Sequence, residues 1–210
     1  MRELNPDFRP QKSAKESRKT ILLLFISAEK RTKSTKIPIF GGRTINPYFS
    51  MKEIILSIPV RIFNYEELDK ADRQLIDEAR EATRRSYSPY SRFAVGAAAR
   101  LLDGTIVSGS NQENAASPSS LCAERTTLFY ANSRYPDQPV DTLAIAARNE
   151  RDEFLTDPIP PCGACRQVML ETEKRYNHPM RILLYGTGGI YEIRGVNSLL
   201  PLSFDASAMK

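Results

Sequence analysis

The chain changes character at about residue 50. Before it, apolar residues come in one short burst, Ile21 to Ile26, between the polar, basic stretches Arg9–Lys19 and Lys30–Lys36, and Gly41-Gly42 breaks any pattern. After it the positions become regular. Glu53 to Phe63 is rich in Ile and Val and reads as a short strand or an extended arm. Leu68, Ala71, Leu75, Ala79 and Ala82 then recur at helical steps, which predicts an amphipathic helix over about Glu66–Arg85, ended by Ser88-Pro89. Phe93–Leu102 reads as a strand whose Gly96-Ala97-Ala98-Ala99 centre allows a close second layer. Asp103-Gly104 signals a hairpin turn into the antiparallel strand Thr105–Ser110.

Leu121–Ala131 reads as a helix. The continuous apolar run Thr142–Ala147 reads as a buried parallel strand. Pro160-Pro161 opens a helix over Gly163–Tyr176, and Arg181–Tyr185 and Ile190–Arg194 are strands around the turn Gly186–Gly189. That last turn is too short for a crossover, so its strands must be antiparallel. The order α, β, β, α, β, α, β, β predicts an α/β fold: a three-layer αβα sandwich with a mixed five-stranded sheet, its last two strands an antiparallel hairpin.

Charge follows the same division. The chain of 210 residues has a net charge of +5, but residues 1–50 carry 11 Lys/Arg against 4 Asp/Glu, whereas residues 51–210 carry 19 against 21. The basic excess belongs to the first fifty residues, and the mildly acidic remainder argues against a nucleic-acid partner. The first fifty residues read as a basic leader, disordered or produced by an over-long start with translation beginning at Met51. The apolar burst is marginal for a signal peptide, and Glu3, Asp7, Glu16 and Glu29 count against a transit peptide. The basic segment reads as solvated rather than as a nucleic-acid arm. No apolar run approaches the roughly 18–20 residues of a membrane span. Three cysteines do not make a disulfide framework.

All three cysteines fall at predicted helix starts, in Cys122-Ala123-Glu124-Arg125 and Pro161-Cys162-Gly163-Ala164-Cys165-Arg166. Helix N-termini favour thiolates, and two such termini brought together would set three thiolates around one point. Three protein ligands leave a fourth tetrahedral position open, the arrangement of a catalytic zinc. Glu124, two residues after a ligand, is suited to take and deliver a proton beside it. Three thiolates leave zinc formally negative, and Arg125 or Arg166 would withdraw charge by hydrogen-bonding them.

Other readings of these residues exist. Cys162 and Cys165 would also suit a redox pair or half of a structural zinc site, but the first leaves Cys122 and Glu124 unexplained, and the second wants a fourth ligand that His178, in a loop-like stretch, is poorly placed to supply. Glu124 would also suit a solvated first-turn acid, and Arg125 a surface charge.

These strings, with Phe93-Ala94-Val95-Gly96-Ala97, Asn111-Gln112-Glu113-Asn114-Ala115 and Leu199-Leu200-Pro201-Leu202-Ser203-Phe204, resemble the cytidine deaminases of the small homotetrameric type. The zinc-deaminase signature with a non-ligand Glu is itself a known pattern. The resemblance covers about Tyr65 to Phe204. It implies one Zn2+ per subunit on Cys122, Cys162 and Cys165, with Glu124 carrying protons between the attacking water, ring N3 and the departing amine. It implies main-chain groups of Ala123 and Cys162 beside the pyrimidine edge, Asn111 and Glu113 on the ribose 3′-hydroxyl, Phe93 lining the pyrimidine pocket, and Phe204 reaching into a neighbouring subunit's site. Read without the resemblance, Asn111 and Glu113 are strand-end turn residues, Phe93 is plain core, and Phe204 packs on its own subunit.

The implied activity is hydrolytic deamination of cytidine and deoxycytidine in pyrimidine salvage, by a cytoplasmic homotetramer acting on a small nucleoside, with no membrane involvement. A related aminopyrimidine nucleoside such as blasticidin S, or a non-catalytic zinc-stabilised interaction protein, are the alternatives. Two departures from the family pattern stand out: Ser117 occupies a position before a proline where the family often has Tyr, and residues 1–50 have no counterpart.

Overall fold

The computed structural model describes residues 53–209. The readings of residues 1–50 lie outside the described residues. The described chain builds one mixed sheet from β1 (Arg61–Phe63), β2 (Ala94–Leu101), β3 (Ile106–Ser110), β4 (Val140–Arg148), β5 (Arg181–Gly186) and β6 (Gly189–Arg194), in the order β1-β6-β5-β4-β2-β3. Its helices are α1 (Lys70–Ala82), α2 (Ala123–Arg134) and α3 (Gly163–Tyr176). Only β4 and β5 pair in parallel, joined through α3, and β5–β6 is the expected antiparallel hairpin.

The sheet has six strands where five were expected. The sixth, β1, comes from the Ile/Val-rich stretch that read as either strand or arm, and it adds to β6 through Phe63 opposite Ile190. Three residues carry too little periodicity to distinguish the two readings in advance.

Alternation along the strands divides the core into two layers. Ala97, Ala99, Leu143, Ile145, Ile182 and Leu184 face α2 and α3. Ala98, Ala144, Ala146 and Leu183 face Leu75, Ile76 and Ala79 of α1. The buried Thr142–Ala147 run thus serves both faces of a central strand, as a continuous apolar run should. The alanine-rich centre of β2 does let the next layer close in: a Cβ at Gly96 would overlap the Ala79 carbonyl oxygen.

The first helix is shorter than its periodicity suggested. Tyr65–Glu67 is a 3-10 turn, and Asp69 caps α1 by accepting from the Asp72 amide at 2.8 Å. Leu68 therefore precedes the helix, and the buried face continues through Asp72, Leu75, Ile76 and Ala79, leaving Ala71 exposed. Asp72, only 3% exposed, lies between Arg181 at 2.7 Å and Arg100 at 3.0 Å. Arg181 also binds Glu192 at 2.8 Å, so an ion network ties α1 to β2, β5 and β6. No described helix is long and apolar enough to cross a membrane.

Candidate metal centre and cleft

The two cysteine-bearing helix starts meet. Cys122 is the N-cap residue of α2 and Cys162 that of α3; the Cys162 sulfur accepts from the Cys165 amide at 3.5 Å. The Sγ atoms of Cys122, Cys162 and Cys165 all lie within 4.8 Å of one another, with 3.8 Å between Cys122 and Cys162 and 3.3 Å between Cys162 and Cys165. Tetrahedral zinc with Zn–S bonds of about 2.3 Å holds its sulfurs about 3.8 Å apart, so the donor set and spacing fit that ion. Among the described residues no other such cluster of ligating side chains occurs.

The sulfurs are electronically unequal. The neighbouring Cys165 thiol, then Arg125 and Cys162, lower the Cys122 thiol to about 5 despite partial burial. Cys165 moves the other way, because Cys122 beside it, burial and the Glu124 charge all favour its protonated form. Arg125 reaches back over the first turn of α2, donating to Cys122 Sγ at 3.6 Å and to the Ser120 carbonyl oxygen at 3.2 Å. Arg166 does not share this task. Its guanidinium donates to the carbonyl oxygens of Pro161 at 2.8 Å and Leu199 at 2.7 Å, anchoring backbone instead.

Glu124 is 4% exposed, so it is not a solvated first-turn acid. Burial raises its carboxyl above the usual range, and the Cys122 charge adds to this. It lines a cleft of about 710 Å³ together with Cys122, Cys162, Phe93, Asn111 and Glu113. Ala123 is fully buried behind it in the first turn of α2.

A strip of backbone brings the 111–113 motif to this cleft. Gln112 exchanges hydrogen bonds with Leu121 at 2.8 and 2.9 Å, just before α2. On the other side Tyr87 N donates to Asn111 O at 3.0 Å, and Glu113 N to Tyr87 O at 2.8 Å. Asn111 Oδ1 accepts from Val95 N at 2.8 Å and Ser86 Oγ at 2.6 Å, and Nδ2 donates to Phe93 O at 2.9 Å, leaving one N–H for a ligand. Glu113 Oε2 accepts from the amides of Tyr90 at 2.8 Å and Ser91 at 3.2 Å. The Ser91 hydroxyl and the Tyr90 amide hold that carboxyl below its ordinary range.

Phe204 is 62% exposed and is not among the residues lining its own chain's cleft. Tyr90, Ser91, Ile159 and Pro160, none of them a candidate site residue from the sequence, also line the cleft. Pro89-Tyr90-Ser91 carries only loop signals and Ile159-Pro160-Pro161 only a helix-start signal, and neither reports which neighbour the segment faces. A smaller cavity of about 340 Å³, lined by Tyr65, Arg80, Tyr185 and Gly186 among others, holds no cluster of metal ligands.

The family model for the cytidine and deoxycytidylate deaminase zinc-binding region matches residues 69–177, more than half of the chain and both cysteine strings. The chain belongs to the cytidine and deoxycytidylate deaminase family. It is 44% identical over 143 residues to a cytidine deaminase of Halalkalibacterium halodurans, covering 66% of this chain and 98% of that one. It is 41% identical over 131 residues to a cytidine deaminase of Sporosarcina psychrophila, covering 62% and 89%. The crystal structure of cytidine deaminase from Burkholderia pseudomallei superposes with a TM-score of 0.53 at 36% identity, covering 62% of this chain and 97% of that one. The αβα architecture expected from the sequence is thus that of solved family members.

Proposed function

We propose that this protein is a zinc-dependent deaminase that converts cytidine and deoxycytidine, with water, to uridine and deoxyuridine plus ammonia. The observation that carries this reading is the convergence of three cysteine sulfurs beside the buried carboxyl of Glu124, inside a cleft large enough for a nucleoside. The relatives named above as cytidine deaminases, matched along almost their whole length, support it.

Cys122, Cys162 and Cys165 would hold the ion. Zinc so held supplies a Lewis acid that makes water a nucleophile at neutral pH. Glu124 takes one proton from the attacking water and passes it to ring N3, then takes the second from the new C4 hydroxyl and delivers it to the amine as the C4–N bond breaks and the C4 carbonyl forms. Its raised carboxyl suits a group that both accepts and donates. Arg125 draws charge from Cys122, which keeps three thiolates from cancelling the metal's pull.

The remaining assignments concern binding. Asn111 offers its free N–H and Glu113 its second oxygen, so together they suit a hydroxyl that accepts one hydrogen bond and donates another, as a ribose 3′-hydroxyl does. Phe93 walls the pyrimidine, and main-chain groups of Ala123 and Cys162 border its edge. Phe204 acts in a neighbouring subunit of a homotetramer, a role its exposure supports. Residues 51–210 are the catalytic domain, with residues 1–50 a basic leader outside it. We assign the enzyme to the cytoplasm, where unpaired thiols stay reduced.

The test is the ultraviolet absorbance of cytidine incubated with zinc-loaded protein, with Glu124→Ala as the control. Conversion to uridine by the parent alone is expected. A folded, zinc-loaded parent that turns over neither cytidine nor deoxycytidine would overturn the reading.

A further inference from the structure

The segment between β4 and α3 supplies Ile159 and Pro160 to the cleft wall and ends at Cys162. Two supports hold its earlier half. Phe154 bridges back to Arg148 at the end of β4, and Leu155 N donates to Ala147 O at 3.3 Å. From the other side comes the β5–β6 turn: Thr187 N donates to Leu155 O at 2.9 Å, and Gly188 N to Thr156 O at 3.0 Å.

Gly186 is where this bracket is tightest. A Cβ there would overlap the Thr156 carbonyl oxygen and come within 2.8 Å of both the nitrogen and Cδ of Pro158. Gly186 does not have positive φ, so the demand is for space rather than for an unusual backbone conformation. What lies beyond is stiff. Pro158-Ile159-Pro160-Pro161 contains three prolines, each with φ held near −65° and none with a backbone N–H to re-pair. A push at Pro158 meets few free torsions nearby and is passed along toward Ile159 and Cys162. The far end is pinned by Arg166 on the Pro161 carbonyl oxygen.

We propose that Gly186 is a positioning residue of the enzyme: by letting the β5–β6 turn press directly on Thr156–Pro158, it sets where the Ile159–Cys162 wall and the Cys162 sulfur stand. The inference rests on reading this cleft as the deamination site. Gly188 belongs to the same bracket more loosely, since a Cβ there would meet the Thr156 side chain at 3.1 Å and its carbonyl oxygen at 3.2 Å.

The test compares Gly186→Ala, Gly188→Ala and Thr187→Ala in the full chain, the last altering only an exposed side chain of the turn. Kinetics on cytidine, zinc content, thermal melting and the thiolate-to-cobalt absorption bands of Co2+-loaded protein are measured where all variants are folded. For Gly186→Ala we expect KM to rise about ten-fold or more and the cobalt bands to shift, because small misplacements of binding groups cost up to about 100-fold in rate. Gly188→Ala should change both in the same direction by less, and Thr187→Ala neither.

A merely structural role would lower the melting temperature while leaving KM and the cobalt bands at parent values, and that result overturns the inference. So does an equal change in Thr187→Ala. If Gly186→Ala does not fold, Gly188→Ala decides on the same readouts. A parent inactive on cytidine would refute the proposed function, and the cobalt bands would still test the placement of Cys162.

Discussion

Asn111 holds Phe93 in place: its Nδ2 donates to the Phe93 carbonyl oxygen at 2.9 Å, while its Oδ1 takes the Val95 amide from the next residue but one. The side chain assigned to substrate is therefore also part of the frame that carries the pocket's aromatic wall. Asn111→Asp keeps the size but cannot donate. We expect it to lose kcat/KM by about 10-fold or more and to melt lower, since it loses both the ligand bond and the Phe93 bond, each worth about 1 kcal/mol or more. Ser86→Ala removes the third partner of that amide, together with a 3.1 Å contact to the Ser88 hydroxyl, and should cost about 0.5–1.5 kcal/mol in denaturant unfolding with a small kinetic effect.

Removal of any one ligand should abolish stoichiometric zinc. Cys165→Ala, at the buried member of the set, is expected to retain almost no metal by elemental analysis. Chelation of the parent should abolish turnover, and added zinc should restore it.

Glu124→Gln separates chemistry from assembly. It preserves shape at a buried position while removing the proton carrier. Zinc content and fold should stay at parent levels while kcat falls by about 10²–10⁴ or more, the usual scale of general acid–base catalysis. Unimpaired turnover would show that another group carries the proton.

The ion network under α1 predicts an acid-labile fold. Burial by itself would raise the Glu192 carboxyl, but hydrogen bonds from Arg181 and Arg194 outweigh it and hold the group below its ordinary value. A carboxyl lowered in the folded state contributes stability that is present above its unfolded value of about 4.3 and is lost as pH falls through the folded value. Melting temperature should therefore drop on acidification below about pH 4–5, and less so in Glu192→Gln. Asp72→Ala leaves two half-buried arginines without their shared partner, though each keeps another carboxylate, and should cost about 1–3 kcal/mol with kcat unchanged.

Phe204→Ala tests the shared site. The side chain is exposed in its own chain, so its loss should change stability by no more than about 0.5 kcal/mol. If a neighbouring subunit uses it, KM for cytidine rises while the unfolding curve stays put. Sedimentation of the parent should give the mass of four chains.

Local chemistry along the chain determined most of the elements and the metal set. Pro160-Pro161 announces a helix start, and α3 begins at Gly163 as read, with the prolines just before its N-cap Cys162 rather than in its first turn. Asp103-Gly104 announced the β2–β3 hairpin, and three cysteines at two helix starts announced a three-thiolate cluster. The helix start and the hairpin depend on neighbours within a few residues, the range over which sequence patterns speak, whereas the meeting of Cys122 with Cys162 and Cys165 joins segments forty residues apart.

The tertiary structure decided what depends on distant partners. Which arginine serves the sulfurs was one such matter: Arg125 and Arg166 both follow a cysteine, but only Arg125 turns back toward one, while Arg166 is taken by carbonyl oxygens of Pro161 and Leu199. The buried face of α1 was another, because an acid at position 72 becomes a core residue only where Arg100 and Arg181 wait across the sheet. The bracket at Gly186 was a third: its need for glycine comes from Thr156 and Pro158, thirty residues earlier in the chain but pressed against it by the pairing of β4 with β5. Helix caps and turns are fixed by short-range torsions and hydrogen bonds, whereas packing contacts exist only after the sheet has chosen its order.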